Sequence, residues 1–206
     1  MKKIKTGIYG GSFNPIHNGH IELARQFLEK GGLDEVWLMV TPQNPWKKHE
    51  ALLDDDKRFH LMQLALKGET GLVAKDYEFH LPRPSYTWNT LKELSKDFPD
   101  REFVLLVGGD NWAYFDDWYH YQDILDNYSV CVYPREGITI DERTLPEHVS
   151  VLHAPLIHIS STDIRRRIQN HQPIDDLVPK VVAEEMERDR DYQGESNQDS
   201  CSAKKG

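Results

Sequence analysis

Two histidines stand three positions apart in residues 7–20 (GIYGGSFNPIHNGH), directly after an apolar run that predicts a strand. The paired glycines Gly10 and Gly11 permit positive φ and let a ligand approach the main chain closely. A helix is predicted to follow, and a helix N-terminus presents free N–H groups and a positive partial charge. Residues three apart share a helical face, so His17 and His20 can face one anion.

Two other interpretations of these histidines remain open from the sequence. A zinc site needs three or four ligands, whereas this pair supplies two, with no Glu between them as in the metalloprotease helix and no cysteine pair nearby. A Gly-rich turn with two hydrogen-bonded histidines and no ligand is the second alternative. The segment matches neither the dinucleotide fingerprint G-x-G-x-x-G nor the phosphate loop G-x-x-x-x-G-K-[ST].

A hydroxyl-rich and basic segment, residues 158–168 (HISSTDIRRRI), lies near the other end of the chain. Its hydroxyl side chains are good helix N-caps, and Asp163 in the first turn suits the helix dipole. Three successive arginines point about 100° apart around a helix, so at most two of them reach a ligand. A solvated basic face is the alternative. Two positive helix ends, one with histidines and one with arginines, favour a polyphosphate ligand.

Composition excludes two classes of function. The 206 residues carry a formal net charge of −9, and such a chain is a poor general binder of nucleic acid, so any anion must be held by a local cluster of cations. No apolar run approaches the roughly 18 residues that span a bilayer, and the N-terminus has no apolar signal core. We therefore expect neither nucleic acid nor membrane as a partner. The two cysteines have no evident pairing partner, which is typical of the cytoplasm.

The alternation of strand and helix patterns predicts an α/β fold with a doubly wound parallel sheet. Strands are predicted in residues 3–10, 34–41, 71–79, 101–110, 128–134 and 149–154, and helices in residues 19–30, 54–68, 87–98, 112–128, 160–170 and 178–190. The pattern indicates a single domain over residues 1–190. Residues 191–206 are polar and predict a disordered tail.

The predicted topology concentrates unusual residues at one edge of the sheet. Ligands of open parallel sheets bind beyond the carboxyl ends of the strands, a rule that selects residues 10–20, 41–48, 108–112 and 159–165. Asp110 follows the most apolar strand, where it could accept hydrogen bonds from ribose hydroxyls or cap the next helix.

Two of these segments resemble the signatures of a nucleotidyltransferase superfamily. His17-Asn18-Gly19-His20 is similar to its H-x-G-H motif, and Ser160–Arg165 is similar to its Ser-Ser-Thr-x-x-Arg motif. Within that superfamily the chain resembles the bacterial nicotinate mononucleotide adenylyltransferase family. The similar segments are GGSFNPIHNGH, TPQNPWKK, RPSYTWNTL, LLVGGDNW and ISSTDIR, within roughly residues 3 to 190.

The resemblance implies a Rossmann-like nucleotidyltransferase fold and a reaction. The adenylyl group of ATP would pass to nicotinate mononucleotide, giving nicotinate adenine dinucleotide and pyrophosphate, a step of NAD biosynthesis. Mg²⁺ would accompany ATP, held mainly by the phosphates and by water. A transferase acting on nicotinamide mononucleotide or phosphopantetheine, a nucleotide-binding regulator, and a homo-oligomeric assembly remain open.

The resemblance also implies three sets of site residues. The catalytic set is His17, His20, Lys47 and Arg165. The ATP-binding set is Gly10, Gly11, Ser12, Phe13, His17, His20, Gly108, Asp110, Ile159, Ser160, Ser161, Thr162 and Arg165. The substrate-binding set is Lys47, Tyr86, Thr87, Trp88, Asp110 and Trp118. Main-chain N–H groups near Thr87 and Trp88 would receive the pyridine carboxylate at a helix N-terminus, and Trp118 would stack on the pyridine ring.

Overall fold

A computed structural model of the chain describes residues 2–42 and 53–188, which contain a six-stranded parallel sheet. The strands are β1 (Ile4–Gly11), β2 (Glu35–Val40), β3 (Leu72–Lys75), β4 (Arg101–Gly108), β5 (Ser129–Tyr133) and β6 (Val149–Val151). The helices are α1 (Asn18–Lys30), α2 (Asp55–Ala65), α3 (Thr87–Asp97), α4 (Gly109–Trp112), α5 (Tyr121–Asn127), α6 (Ser161–Gln169) and α7 (Lys180–Arg188).

The strand order is β3-β2-β1-β4-β5-β6, and every neighbouring pair is parallel. This order confirms the doubly wound α/β fold class. Chain connectivity reverses direction between β1 and β4, and such a reversal opens a crevice at the carboxyl ends of the two strands.

Apolar side chains cover both faces of the sheet. Neighbouring residues of β4 point to opposite faces, so Leu106 packs in the same cluster as Phe27 of α1, and Leu105 packs with Leu91 of α3. All four side chains are buried. Because both faces are covered, the strands are nearly continuous apolar runs, which is typical of a parallel sheet.

Several predicted elements are wrong in extent, and the strands predicted over residues 101–110 and 149–154 end at Gly108 and Val151. The strand predicted over residues 71–79 ends at Lys75, and a 3-10 helix (Tyr77–His80) follows it. β3 is an edge strand with one neighbour, and a local turn replaces the missing ladder beyond Lys75. In that turn the N–H of Phe79 donates to the carbonyl of Asp76 at 2.8 Å.

The single helix predicted over residues 112–128 is also wrong. The segment contains the end of α4, a 3-10 turn (Phe115–Asp117) and α5. Trp118 is extended, and His120 has a left-handed φ of 56°, which a right-handed helix cannot contain. The apolar spacing of the segment predicts a helical face but not this interruption.

Several expectations fall on residues 43–52 and 189–206, which lie outside the described parts of the chain. They include the role of Lys47 and the tail over residues 191–206, and both stay predictions. In the described parts, no helix is long and apolar enough to cross a membrane.

Candidate active site

A cavity of about 1200 Å³ opens at the carboxyl ends of β1 and β4, where the connectivity reverses. Sixteen of the eighteen predicted site residues line it: Gly10, Gly11, Ser12, Phe13, His17, His20, Tyr86, Thr87, Gly108, Asp110, Trp118, Ile159, Ser160, Ser161, Thr162 and Arg165. The Trp88 side chain does not line it, and Lys47 is not described. Ligand pockets usually measure about 300–1,000 Å³, so this cavity suits a large ligand.

The two histidines meet at the first turn of α1. The three-residue spacing predicts that the two histidines share a helical face. His17 instead lies just before the helix, as its N-cap residue, with an extended backbone. Its Nδ1 accepts a hydrogen bond from the N–H of His20 at 3.3 Å. The imidazole rings stack, with centroids 3.6 Å apart and planes inclined by 18°. Both rings line the cavity, although capping and stacking, rather than a shared helical face, bring them together.

The protonation of His17 follows from its surroundings. The side chain is 3 % exposed, and burial, assisted by the positive charge of Arg135, lowers its pKa to about 4. The ring is therefore neutral at neutral pH. Because Nδ1 accepts a hydrogen bond, the proton is assigned to Nε2. His17 can thus donate a hydrogen bond to an anion without carrying a charge.

The same geometry disfavours zinc. One nitrogen of His17 is occupied by the helix cap, and two nearly parallel stacked rings do not converge their nitrogens on one tetrahedral ion. Throughout residues 2–42 and 53–188, no group of three or more His, Cys, Asp or Glu side chains is arranged to hold a metal ion.

The two segments with family signatures touch directly although about 150 positions separate them. The guanidinium of Arg165 donates to the carbonyl of Asn14 at 2.9 Å. The hydroxyl of Ser161 donates to the carbonyl of Pro15 at 3.1 Å. These bonds fix the loop before α1 against the first turn of α6, so two helix N-termini face the same cavity.

The three consecutive arginines of α6 point in different directions. Arg165 lines the cavity, Arg166 pairs with Asp163 at 2.8 Å, and Arg167 pairs with Asp176 at 3.1 Å. One arginine therefore faces the cavity, and its two neighbours form ion pairs on the surface.

The glycines of the first signature serve close packing rather than a positive φ. Gly10 and Gly11 end β1 without using the positive φ that glycine permits, and the left-handed residue of the loop is Phe13 at 43°. At Gly19 an added Cβ would lie 2.9 Å from Cγ2 of Ile157 and 3.1 Å from Cβ of Ile159. Gly19 therefore allows the segment before α6 to pack against α1.

Aromatic residues and a helix N-terminus form the other end of the cavity. α3 begins at Thr87, and its N-cap residue Tyr86 makes no side-chain cap, so the first-turn N–H groups are not occupied by that residue. Trp118 lines the cavity and packs on Phe115 with ring centroids 5.0 Å apart. Trp88 instead stacks on His120 at 5.9 Å. The predicted contribution of Trp88 is its main-chain N–H, which stays a prediction.

Arg135 was missed by the sequence analysis. It follows β5, lines the cavity, and pairs with Asp110 at 3.6 Å. The rule that selects the carboxyl ends of strands would have found it, had the end of β5 (YPREG) been included. The alternative role of Asp110 as a helix N-cap is not found, since Gly108 is the N-cap of α4 and Asp110 lies in its first turn.

Glu78 was also missed, because residues 71–79 read as a strand. Its side chain is 6 % exposed and lines the cavity near the start of α3. One carboxyl oxygen accepts a hydrogen bond from the hydroxyl of Thr90 at 2.8 Å. Burial raises the pKa of this carboxyl, which favours its protonated form.

Comparison with known proteins shows which protein family the chain belongs to. Residues 8–167 match the cytidylyltransferase-like family. Proteins named as probable nicotinate-nucleotide adenylyltransferases are similar over most of their length. The chain is 48 % identical to that of Bacteroides fragilis, over 84 % of this chain and 87 % of the relative. It is 46 % identical to that of Bacteroides thetaiotaomicron, over 87 % of this chain and 89 % of the relative. The chain therefore belongs to the nicotinate-nucleotide adenylyltransferase family.

Solved structures agree on the fold. The chain is similar to Plasmodium falciparum nicotinic acid mononucleotide adenylyltransferase complexed with NaAD, with a TM-score of 0.78 and 19 % identity. The similarity covers 92 % of this chain and 97 % of that one. At this identity the likeness supports the Rossmann-like nucleotidyltransferase fold alone.

Proposed function

We propose that the protein transfers the adenylyl group of ATP to nicotinate mononucleotide, releasing pyrophosphate. The observation that carries this proposal is the joining of α1 and α6 at one cavity, where Arg165 and Ser161 bond the loop before α1. Two helix N-termini and a guanidinium at one place suit a triphosphate. Family membership supplies the acceptor.

The reaction needs no protein nucleophile. An oxygen of the acceptor's 5′-phosphate attacks the α-phosphorus of ATP and forms a new P–O–P bond. The bond from the α-phosphorus to the bridging oxygen breaks, and pyrophosphate leaves with that electron pair. Because the attacking oxygen is already anionic, catalysis rests on positioning and on stabilising charge.

The two histidines, Arg165 and Lys47 are each assigned a role at the phosphates of ATP. His20 lies closest to the reacting centre and donates to the phosphates, with His17 as a second, neutral donor stacked against it. Arg165 neutralises charge on the leaving pyrophosphate. Lys47 is assigned the same task from the family resemblance.

Mg²⁺ is proposed to enter with ATP, where it would supply charge neutralisation at the phosphates. The cavity fits a metal–nucleotide complex rather than a metal held by the chain. Its carboxylate nearest the strand ends, Asp110, already faces Arg135 at 3.6 Å. Asp110 is instead assigned to the ribose hydroxyls.

The acceptor is assigned to the aromatic end. Trp118 would stack on the flat pyridine ring, and the first-turn N–H groups of α3 would receive its carboxylate. Main-chain donors favour nicotinate over nicotinamide, because the amide carries no negative charge.

One assay tests the proposal. Pyrophosphate release from ATP is measured with nicotinate mononucleotide, nicotinamide mononucleotide and 4′-phosphopantetheine as acceptors. We expect nicotinate mononucleotide to give the highest kcat/KM. A preference for the amide would overturn the assigned carboxylate contact, and a preference for phosphopantetheine would overturn the proposed function.

A further inference from the structure

A buried arginine lies outside the set of residues that the sequence singles out. The side chain of Arg58, on α2, is fully buried. All five of its N–H groups have an acceptor. The acceptors are the carbonyls of Leu53 (3.0 Å), Thr41 (3.1 Å), Pro42 (3.5 Å) and Ser12, and the carboxylate of Asp55.

Four of the five partners are main-chain carbonyls, which is unusual for a buried charge. Burial disfavours the charged guanidinium and lowers its pKa, while Asp55 offsets part of this effect. An apolar side chain could fill the same volume at lower cost in desolvation. What an apolar side chain cannot do is fix several carbonyls at once with a planar fork of donors.

The carbonyls belong to three chain segments, two of which border the cavity. Ser12 lies in the loop after β1, Thr41 and Pro42 follow β2, and Leu53 precedes α2. Ser12 and Thr41 line the cavity. Arg58 therefore joins the loop after β1 to the end of β2.

The bond to Ser12 also orients the next peptide group. A trans peptide is planar, so the N–H of Phe13 points opposite to the carbonyl of Ser12. Because the carbonyl of Ser12 accepts a hydrogen bond from Arg58, the N–H of Phe13 is directed away from the guanidinium. Phe13 lines the cavity. The loop is fixed from its other side by Arg165 on Asn14 and Ser161 on Pro15.

We propose that Arg58 is a positioning residue for the ATP end of the site. It holds the main chain of Ser12 and Phe13 in the conformation that receives the phosphates, and it touches no substrate itself. This inference rests on the proposed function, because it assumes that the loop after β1 binds ATP.

The test replaces Arg58 by Lys, which keeps the charge but places three N–H groups on one nitrogen and loses the fork. Binding of α,β-methylene-ATP is measured by calorimetry, and turnover by pyrophosphate release. We expect affinity for the analogue to fall about tenfold and kcat to fall about ten- to hundredfold, since small misplacements are costly in catalysis. The KM for nicotinate mononucleotide should change less than about twofold, because none of the hydrogen-bond partners of Arg58 given above lies in α3.

Two controls separate positioning from general destabilisation. Arg101→Lys makes the same change at a mostly buried arginine that pairs with Glu35 at the amino end of the sheet. Leu94→Ala removes a buried side chain that does not line the cavity and lowers thermal stability. Both should bind the analogue as the wild type does.

Analogue affinity that is unchanged in Arg58→Lys, or lowered equally in Leu94→Ala, would overturn the inference. If Arg58→Lys does not fold, Asp55→Asn replaces it, and a loss of about threefold in affinity is expected from weakening one of five bonds; no loss overturns the inference. Because analogue binding does not require an acceptor, it tests Arg58 even if nicotinate mononucleotide proves not to be the substrate.

Discussion

The two ends of the cavity are built from different chemistry. The ATP end, as proposed above, consists of the N-termini of α1 and α6 and the loop before α1. There the side chains of Arg165 and Ser161 donate to main-chain carbonyls of the loop, and these bonds join segments from opposite ends of the chain. At the acceptor end, aromatic rings surround the first turn of α3, and Tyr86 lies against Tyr119 with centroids 4.7 Å apart.

This difference separates two tasks. The ATP end is electrostatic, so its residues should affect the chemical step and ATP binding together. The acceptor end offers flat surfaces and a few main-chain donors, so its residues should affect binding of one substrate. Variants at the two ends should therefore differ in which kinetic constant changes.

The largest effect is expected at His20. Replacing it by Ala should lower kcat about 10²–10³-fold, the usual cost of removing a donor to developing charge. Pyrophosphate release under saturating substrates measures this. His60→Ala is the matched control, because His60 is an exposed histidine on α2 that pairs with Glu185. A folded His20→Ala variant with near-normal kcat would contradict the assignment.

The next effect is expected at Arg165, where the chain provides its own control. Arg165→Ala should lower kcat/KM for ATP about 10- to 100-fold by removing a charged donor. The same change at Arg166, one residue along α6 and paired with Asp163, should leave kcat/KM within about twofold, as for most exposed ion pairs. Equal losses in both variants would show that the general basicity of α6, not one side chain, matters.

A smaller and more selective effect is expected at Trp118. Trp118→Ala should raise the KM for nicotinate mononucleotide about tenfold, consistent with the loss of one aromatic stacking contact, and leave the KM for ATP unchanged. Trp112→Ala removes a neighbouring tryptophan that packs on Phe115 but does not line the cavity. The idea of a separate acceptor end fails if Trp118→Ala changes both KM values equally.

The titration of His17 should affect the free energy of unfolding. Its folded-state pKa of about 4 lies below the ordinary 6.5, so the folded state binds fewer protons between these values. The associated stability is fully present above pH 6.5 and is lost as pH falls toward 4. The shift corresponds to a free energy on the order of 3 kcal/mol.

His17→Asn keeps a good N-cap and removes this titration. The wild type should therefore lose unfolding free energy more steeply than the variant between pH 6.5 and pH 4, as measured by denaturant unfolding. Parallel losses in the two proteins would mean that His17 is protonated in the folded state.

Local patterns in the sequence predict much of the fold and the ATP end. Repeated strand–helix alternation predicts the sheet. Hydroxyl side chains that can cap a helix predict that α6 begins within Ser160–Arg165. The interruption at His120 was not predicted, because a single left-handed residue leaves no periodic signal. The left-handed φ at Phe13, rather than at the glycines before it, was hidden for the same reason.

Two of the missed residues, Arg58 and Glu78, are defined by partners that the fold brings to them. Arg58 reads as one polar position of a helix, and its bonds to Ser12, Thr41 and Pro42 exist only once α2 has docked. Glu78 reads as part of a strand, although it is buried against Thr90. Neither residue type nor spacing indicates such contacts, because their partners are main-chain or hydroxyl groups that any segment can offer.

A crystal structure with α,β-methylene-ATP and nicotinate mononucleotide tests whether the cavity holds both substrates in the proposed arrangement. We expect the triphosphate between the N-termini of α1 and α6, with phosphate oxygens within hydrogen-bonding distance of His20 and Arg165, and the pyridine ring against Trp118. A triphosphate bound at the start of α3, or away from both histidines, would contradict it.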